Sequence, residues 1–156
     1  MIFAHTDYYK YYIHIFKNNH KINHNKCLNL MLSELQKISK KKLIIPTYNY
    51  DFGHKNIFCK EKDKSQVGSF SEFIRKKYSK NRNNVPMFST TSTFKRNISD
   101  KNKEIIDPFN NNSDFGNLLN KKGKIIFFGS EFAPTFIIYI EKNFPGGVPY
   151  RFNKIF

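Results

Sequence analysis

The chain has 156 residues and a formal net charge of +15, from 27 Lys and Arg against 12 Asp and Glu. Hydrophobic residues make up 39% and aromatic residues 17%, which favours one globular domain with an aromatic core over a disordered chain. Two cysteines far apart give no disulfide framework, and no stretch approaches the roughly 20 apolar residues of a membrane span, so we expect a cytoplasmic protein.

The first half of the chain predicts two strands and a helix between them. Short apolar, β-branched runs at residues 2–4 and 43–48 are typical of buried strands. Apolar residues recur at helical spacing over residues 28–38, with Asn25 as the candidate N-cap. The aromatic segment 8–16 alternates only in part, and fits either an extended segment or the start of a helix.

The second half continues the alternation of helices and strands. Ser69 and Glu72 have the spacing of a capping box and predict a second helix. Ser113 is the predicted cap of a third, short helix that Gly123 ends. Residues 124–129 predict a central strand, and residues 135–144 a helix that the Pro-Gly-Gly sequence at 145–147 ends. The pattern predicts an α/β layered sandwich with a mixed sheet flanked by helices, in one domain over residues 1–156.

The positive charge on its own suggests a polyanionic partner. Lys and Arg are, however, spread over every segment, with only short runs at 40–42, 75–77 and 121–122. The excess of Lys, Asn, Ile and Phe is also what an AT-rich coding sequence produces. We therefore expect no specific nucleic-acid partner, and at most an attraction for phosphate groups.

A possible metal triad occurs near the middle of the first half. His20, His24 and Cys27 are spaced i, i+4 and i+7, which would align three metal-competent side chains on one helix face. The Asn-rich start of this segment is a poor helix former, and no fourth ligand is evident. Cys27 adjoins the apolar stripe, so we expect it in the core and predict no metal site.

Several motifs occur in order along nearly the whole chain. They are Ile2-Phe-Ala-His5-Thr6, Lys42-Leu-Ile-Ile-Pro46-Thr47-Tyr-Asn-Tyr50, Val67-Gly68-Ser-Phe-Ser-Glu-Phe-Ile-Arg75, Arg82-Asn-Asn-Val85-Pro86-Met-Phe-Ser89, Asp107-Pro108-Phe109, Phe132-Ala-Pro-Thr-Phe-Ile-Ile-Tyr-Ile-Glu141 and Val148-Pro-Tyr-Arg-Phe-Asn-Lys154. Together they resemble the N-terminal and central part of the aminoglycoside N3-acetyltransferase family. The resemblance implies acetyl-CoA as cosubstrate and, as acceptor, an amino group of an aminoglycoside antibiotic or of an amino sugar in a surface polysaccharide.

The resemblance also identifies candidate catalytic positions. Val85 and Ile138 stand where the family has histidines, and neither side chain can move a proton. Glu141 is left as the candidate catalytic residue, either as a weak base or as a ligand for an ammonium group. The alternative for Glu141 is an ordinary solvated helix residue.

Candidate binding residues follow from the same motifs. His5 and Thr6 correspond to the turn that approaches the coenzyme, although an ordinary turn histidine is the alternative. Arg82, Ser89 and Arg151 are implied to bind substrate. Arg82 fits a structural role equally well, and Ser89, without a histidine nearby in sequence, is expected to form hydrogen bonds rather than act as a nucleophile.

Asp7 and the end of the chain limit what the resemblance implies. Asp7 stands where the family has a small hydroxyl residue, and a carboxylate facing the coenzyme's phosphates would repel them. The family continues beyond the Val-Pro-Tyr-Arg motif, so the resemblance implies a truncated domain that is inactive alone. A separately encoded C-terminal half, or a role as a binding remnant only, is the alternative to an active enzyme.

Overall fold

Four short strands form one mixed sheet in the order β3-β2-β1-β4, in a computed structural model that describes residues 1–18, 20–95, 107–132, 134–146 and 148. The central strand β1 is parallel to both β2 and β4, and β2 is antiparallel to β3. The strands are β1 (Ile2–Thr6), β2 (Leu43–Pro46), β3 (Thr90–Ser92) and β4 (Lys124–Phe128). The helices are α1 (Tyr8–Asn18), α2 (His24–Ile38), α3 (Phe52–Lys55), α4 (Ser69–Lys77), α5 (Asp114–Asn120) and α6 (Phe136–Asn143), with a 3₁₀ turn at Ser79–Asn81. The prediction of an α/β fold with a mixed sheet is confirmed.

Helices cover both faces of the sheet because alternate residues of each strand point to opposite sides. On one face, α1, α2 and α4 pack on a first core that includes Ala4, Tyr11, Cys27, Leu28, Met31, Leu35, Leu43, Ile45, Phe70 and Ile74. On the other face, α5 and α6 pack on a second core of Phe3, Ile44, Phe109, Phe115, Leu118 and Tyr139. Burial of each large apolar side chain contributes about 1.5–3 kcal/mol, so both faces of β1 and β2 stabilise the fold.

The segment with two possible structures, residues 8–16, is helical and forms most of α1. Helix α2 begins earlier than its apolar stripe indicated. Its N-cap is Asn23, whose side chain accepts a hydrogen bond from the Lys26 amide at 2.9 Å, and Asn25 lies inside the first turn. The cap prediction was therefore wrong by two residues, because both Asn side chains are competent and the sequence does not say which is outside the helix.

The predicted capping box at the start of α4 is not formed. Gly68 is the N-cap, and Ser69 is the first helical residue. The Glu72 carboxylate accepts instead from the Ser65 amide at 2.8 Å and from two nitrogens of Arg75 at 2.7 and 2.8 Å. The buried Arg75 guanidinium therefore pairs with the carboxylate that would accept from a backbone amide in a capping box.

The cap of α5 is formed as predicted. Ser113 accepts a hydrogen bond from the Gly116 amide at 3.2 Å. Strand β4 also forms, but it lies at the edge of the described sheet rather than in its centre. The central position belongs to β1 and β2, so the prediction of a central strand at 124–129 was wrong in placement.

No helix in the described part of the chain has the length and apolar character needed to cross a membrane.

Candidate functional site

The carboxyl edge of the sheet is the place where the strand order favours a ligand site. Strands β2 and β4 flank β1 on opposite sides and run parallel to it. The connection from β1 to β2 passes through α1 and α2 on one face, whereas β4 follows α5 on the other face. In open α/β sheets, ligands generally bind outside the carboxyl ends of the strands at such a reversal of direction.

Three buried polar atoms without hydrogen-bond partners lie at this edge. They are His5 Nε2 near the end of β1, Tyr48 OH just after β2, and Ser130 Oγ just after β4. Most buried polar side-chain atoms in proteins have a partner, so each exception needs an explanation. One exception at the end of each of three parallel strands marks this edge as the candidate site.

His5 is held by aromatic rings on the α5–α6 face of the sheet. Its imidazole stacks on Phe127 of β4, with ring centroids 5.3 Å apart and planes inclined by 7°, and also contacts the Phe3 ring at 5.3 Å. Burial lowers the pKa of His5, because the charged imidazolium loses solvation. The ring is therefore neutral at neutral pH, and one ring nitrogen is available to accept a proton.

Tyr48 provides a hydrogen-bond donor on the same face. Its ring packs against Phe88, which in turn packs on Phe109 of the second core. The side chain of Thr135, just before α6, lies close to the Tyr48 hydroxyl, but no hydrogen bond of normal geometry joins them. Burial raises the pKa of Tyr48, so its hydroxyl remains protonated.

The sequence pointed to His5 but not to Tyr48 or Ser130. Tyr48 and Ser130 share one sequence signal, which is a polar side chain shortly after the apolar run of a strand. Thr6, the other predicted coenzyme residue, follows His5 in the strand and its side chain therefore lies on the opposite face, the one packed by α1 and α2. His5 and Tyr48 thus follow or end neighbouring parallel strands on the same face of the sheet, whereas Thr6 lies on the other face.

The Asp7 carboxylate caps the start of α1. Its Oδ1 accepts a hydrogen bond from the Lys10 amide at 3.0 Å, and its Oδ2 lies 3.8 Å from Lys10 Nζ. Lys10 Nζ is also 3.7 Å from Glu131, beside the end of β4. Asp7 is thus an N-cap with a nearby cation, so its charge is partly balanced where the resemblance implied a bare carboxylate beside phosphates.

Gly129 brings the turn after β4 close to this N-cap. Its φ angle of +74° is in the region that favours glycine, and a Cβ at this position would lie 3.1 Å from the Asp7 carbonyl oxygen. The Asp7 amide donates to the Phe128 carbonyl at 3.0 Å. The turns after β1 and β4 are therefore fixed against each other, which positions the residues that follow both strands.

Arg82 and Ser89 lie together inside the fold and do not reach the surface. Arg82 is 1% exposed and Ser89 0%. The guanidinium donates to Ser89 Oγ at 3.1 Å, to the Thr47 carbonyl at 2.7 Å, to the Lys60 carbonyl at 3.0 Å and to the Asp63 carbonyl. This placement favours the structural role for Arg82 over substrate binding, and gives Ser89 the hydrogen-bonding role that the sequence indicated.

Both positions where the resemblance implies histidines hold apolar side chains that pack in the interior. Val85 is 4% exposed, and Ile138 packs against the second core from α6. Glu141 is half-buried in the last part of α6. Arg151 lies outside the described residues.

The possible metal triad is not assembled. Cys27 is fully buried in the first core, as expected. His24 Nδ1 is 2.9 Å from the Tyr8 hydroxyl. Among the residues that the structure describes, no group of three or more His, Cys, Asp or Glu side chains is arranged to hold a metal ion.

No protein-family model, curated protein or solved structure matches this chain. The resemblance to the acetyltransferase family therefore rests on the order and spacing of the motifs given above.

Proposed function

We propose that this chain is an N-acetyltransferase-like protein that uses acetyl-CoA to acetylate an amino group of an aminoglycoside or amino sugar in the cytoplasm. The observation that carries the proposal is the half-buried, neutral His5 at the carboxyl edge, whose Nε2 is buried without a partner. Apolar residues stand at both positions where the resemblance implies histidines, and His5 supplies an imidazole at the carboxyl edge of the sheet. The order of the sequence motifs supports the same proposal.

The reaction needs a proton acceptor and a donor for the developing oxyanion. The acceptor's amine attacks the thioester carbonyl, a C–N bond forms, and the C–S bond breaks to release coenzyme A. In this proposal His5 takes the proton that the amine loses, and the Tyr48 hydroxyl donates to the carbonyl oxygen. Glu141 and Arg151 hold the acceptor, and the coenzyme lies on the His5 face of the sheet, which leaves Thr6, on the opposite face, out of coenzyme binding.

A second candidate is an inactive chain that needs a partner or serves only as a binding remnant. Apolar side chains remain exposed after β4 and along α6: Phe132 is 78% exposed, Ile137 44%, Ile140 41% and Phe144 56%. Exposed apolar groups in one region mark surfaces that another polypeptide covers. This observation favours a chain whose site is completed from outside.

A thiol-release assay with acetyl-CoA and a panel of amino sugars separates the two candidates. If His5 is the base, His5→Gln lowers turnover about 10²–10⁴-fold, the usual contribution of a general base. The matched control is His54→Gln, which makes the same change at an exposed histidine and leaves turnover unchanged. A loss with Glu141→Gln but not with His5→Gln would assign the base to Glu141 instead.

Failure to turn over any substrate selects the second candidate only when the chain is folded. A cooperative thermal melt establishes folding, and a shift of that melt by coenzyme A tests binding without catalysis. A folded chain with neither turnover nor a coenzyme A shift would contradict the acetyltransferase proposal.

A further inference from the structure

The two edges of the sheet differ in whether other residues pair with them. Within the described residues, the outer edge of β3 is covered by the preceding segment: Arg82 bridges to Thr91, the Asn83 amide donates to the Thr90 carbonyl at 3.0 Å, and the Asn81 side chain donates to the Ser92 carbonyl at 3.3 Å. No described residue pairs with the outer edge of β4. Among the described residues, the β3 edge is therefore covered and the β4 edge is open.

The backbone of β4 presents hydrogen-bonding groups at this open edge. The Lys124 amide donates to the Met1 carbonyl at 3.1 Å, and the Phe128 carbonyl accepts from the Asp7 amide at 3.0 Å, so these residues face β1. Backbone groups of alternate residues point to opposite sides of a strand. The N–H and C=O groups of Ile125 and Phe127 therefore point away from the sheet.

Within the described part of the chain, the residues of strand β4 after Lys124 have none of the features that protect natural edge strands. Edges are usually guarded by an inward charge, a proline, a bulge or a covering loop. The sequence Lys-Ile-Ile-Phe-Phe has a lysine only at its first position, and apolar side chains on both faces. Such a run is typical of a strand with neighbours on both sides.

A groove of about 400 Å³ runs beside the β4 edge on the α1–α2 face. Its walls are Lys10, Tyr11, His14, Ile15 and Glu34 on the helix side, and residues 127–129 on the sheet side. Tyr11 is 8% exposed, and its buried hydroxyl lies close to the Glu34 side chain without a hydrogen bond of normal geometry. The groove thus adds room for side chains next to a row of free backbone groups.

We propose that the β4 edge binds an extended, apolar strand of an acidic partner chain, which adds to the sheet as a fifth strand. Backbone pairing supplies affinity, and side chains on one face of the added strand enter the groove. Exposed Lys121, Lys122 and Lys124 stand at the amino end of β4 and complement acidic residues that flank such a strand. A second copy of this chain is disfavoured, because each copy carries +15 and the two would repel.

This proposal concerns an interaction surface and does not rest on acetyl transfer. Its test measures binding of a short synthetic peptide of alternating Val and Ile with Glu at both ends, by fluorescence anisotropy with the full chain. The same peptide with Lys at both ends tests the charge argument. We expect the Glu-flanked peptide to bind more tightly than the Lys-flanked one.

Ile125→Pro tests the backbone contact. It removes an N–H that points away from the sheet, so no internal hydrogen bond is lost. Affinity should fall about tenfold or more, because the added strand loses a backbone hydrogen bond and the proline ring excludes it sterically. Ile125→Val keeps the N–H at the same position and should bind like the unmodified chain.

A measurement on the peptide covers the case in which Ile125→Pro does not fold. Backbone N-methylation along one edge of the peptide should abolish binding, and methylation along the other edge should leave it intact. Equal effects at both edges, or no binding of either charged peptide to a folded monomeric chain, would overturn the proposal. Self-association that Ile125→Pro abolishes would also overturn it, because the occupant would then be a second copy.

Discussion

Replacing Arg82 with alanine tests whether this buried guanidinium is structural. Its nitrogens donate to Ser89 Oγ and to the carbonyls of Thr47, Lys60 and Asp63. The Thr47 carbonyl keeps a hydrogen bond from Ser89 Oγ at 2.8 Å, but the two loop carbonyls lose this donor and the side chain leaves a void. At about 1–3 kcal/mol for each unsatisfied buried group, we expect a loss of about 3–5 kcal/mol.

Such a loss is a large part of the stability of a domain of this size, about 5–15 kcal/mol. The assay is urea unfolding followed by far-ultraviolet circular dichroism. Lys80→Ala removes one positive charge from an exposed position two residues away and should change the free energy of unfolding by less than about 0.5 kcal/mol. Arg82→Met restores most of the volume without the donors, so it separates hydrogen bonding from packing.

The structural role would be refuted if the free energy of unfolding of Arg82→Ala were within about 1 kcal/mol of that of the unmodified chain. Removal of a buried group with these contacts should destabilise the fold by more than that. If that stable variant also lost affinity for an amino sugar, Arg82 would belong to a substrate site. Loss of stability for both the Ala and Met variants is the outcome that the contacts predict.

Two further predictions concern charge. The pKa of His5 is lowered below its ordinary 6.5 by burial, so the unfolded chain binds a proton that the folded chain does not as the pH falls below about 6.5. Stability should therefore fall with pH in this range, and less steeply in His5→Phe, as measured by urea unfolding at a series of pH values. Binding to duplex DNA, measured by fluorescence anisotropy, should be weak, without sequence preference and steeply lost as salt rises. Tight, sequence-specific binding at physiological salt would contradict the prediction that the dispersed positive charge has no specific nucleic-acid partner.

Strands β1, β2 and β4 and the longer helices could be predicted because their signals are local, whereas α3 and β3 were not predicted. The apolar stripe of α2 and the cap of α5 are formed by residues close in sequence, so spacing alone identifies them. The position of β4 could not be predicted in this way. A continuous apolar run indicates a strand with both faces covered, but nothing within residues 124–128 says which strand lies beside it.

The site shows the same division between local and distant information. His5 could be identified because it ends an apolar strand, where parallel sheets bind ligands. The burial of Arg82 could not, because its partners at Thr47, Lys60, Asp63 and Ser89 come from separate segments. An Arg in a motif has the same appearance in sequence whether it reaches solvent or holds loops together.

The candidate site and the open edge are connected through one aromatic ring. The His5 imidazole stacks on Phe127, and the backbone of Phe127 faces the open edge of β4. A strand added at that edge would order Phe127 and exclude water from the outer side of the stack. Because burial already lowers the pKa of His5, further loss of solvent would lower it more and hold the ring neutral over a wider pH range. Binding at the β4 edge should therefore shift the titration of His5 downward, as followed by NMR of its ring protons with and without the Glu-flanked peptide. An unchanged titration with the peptide bound would show that the edge and the site are independent.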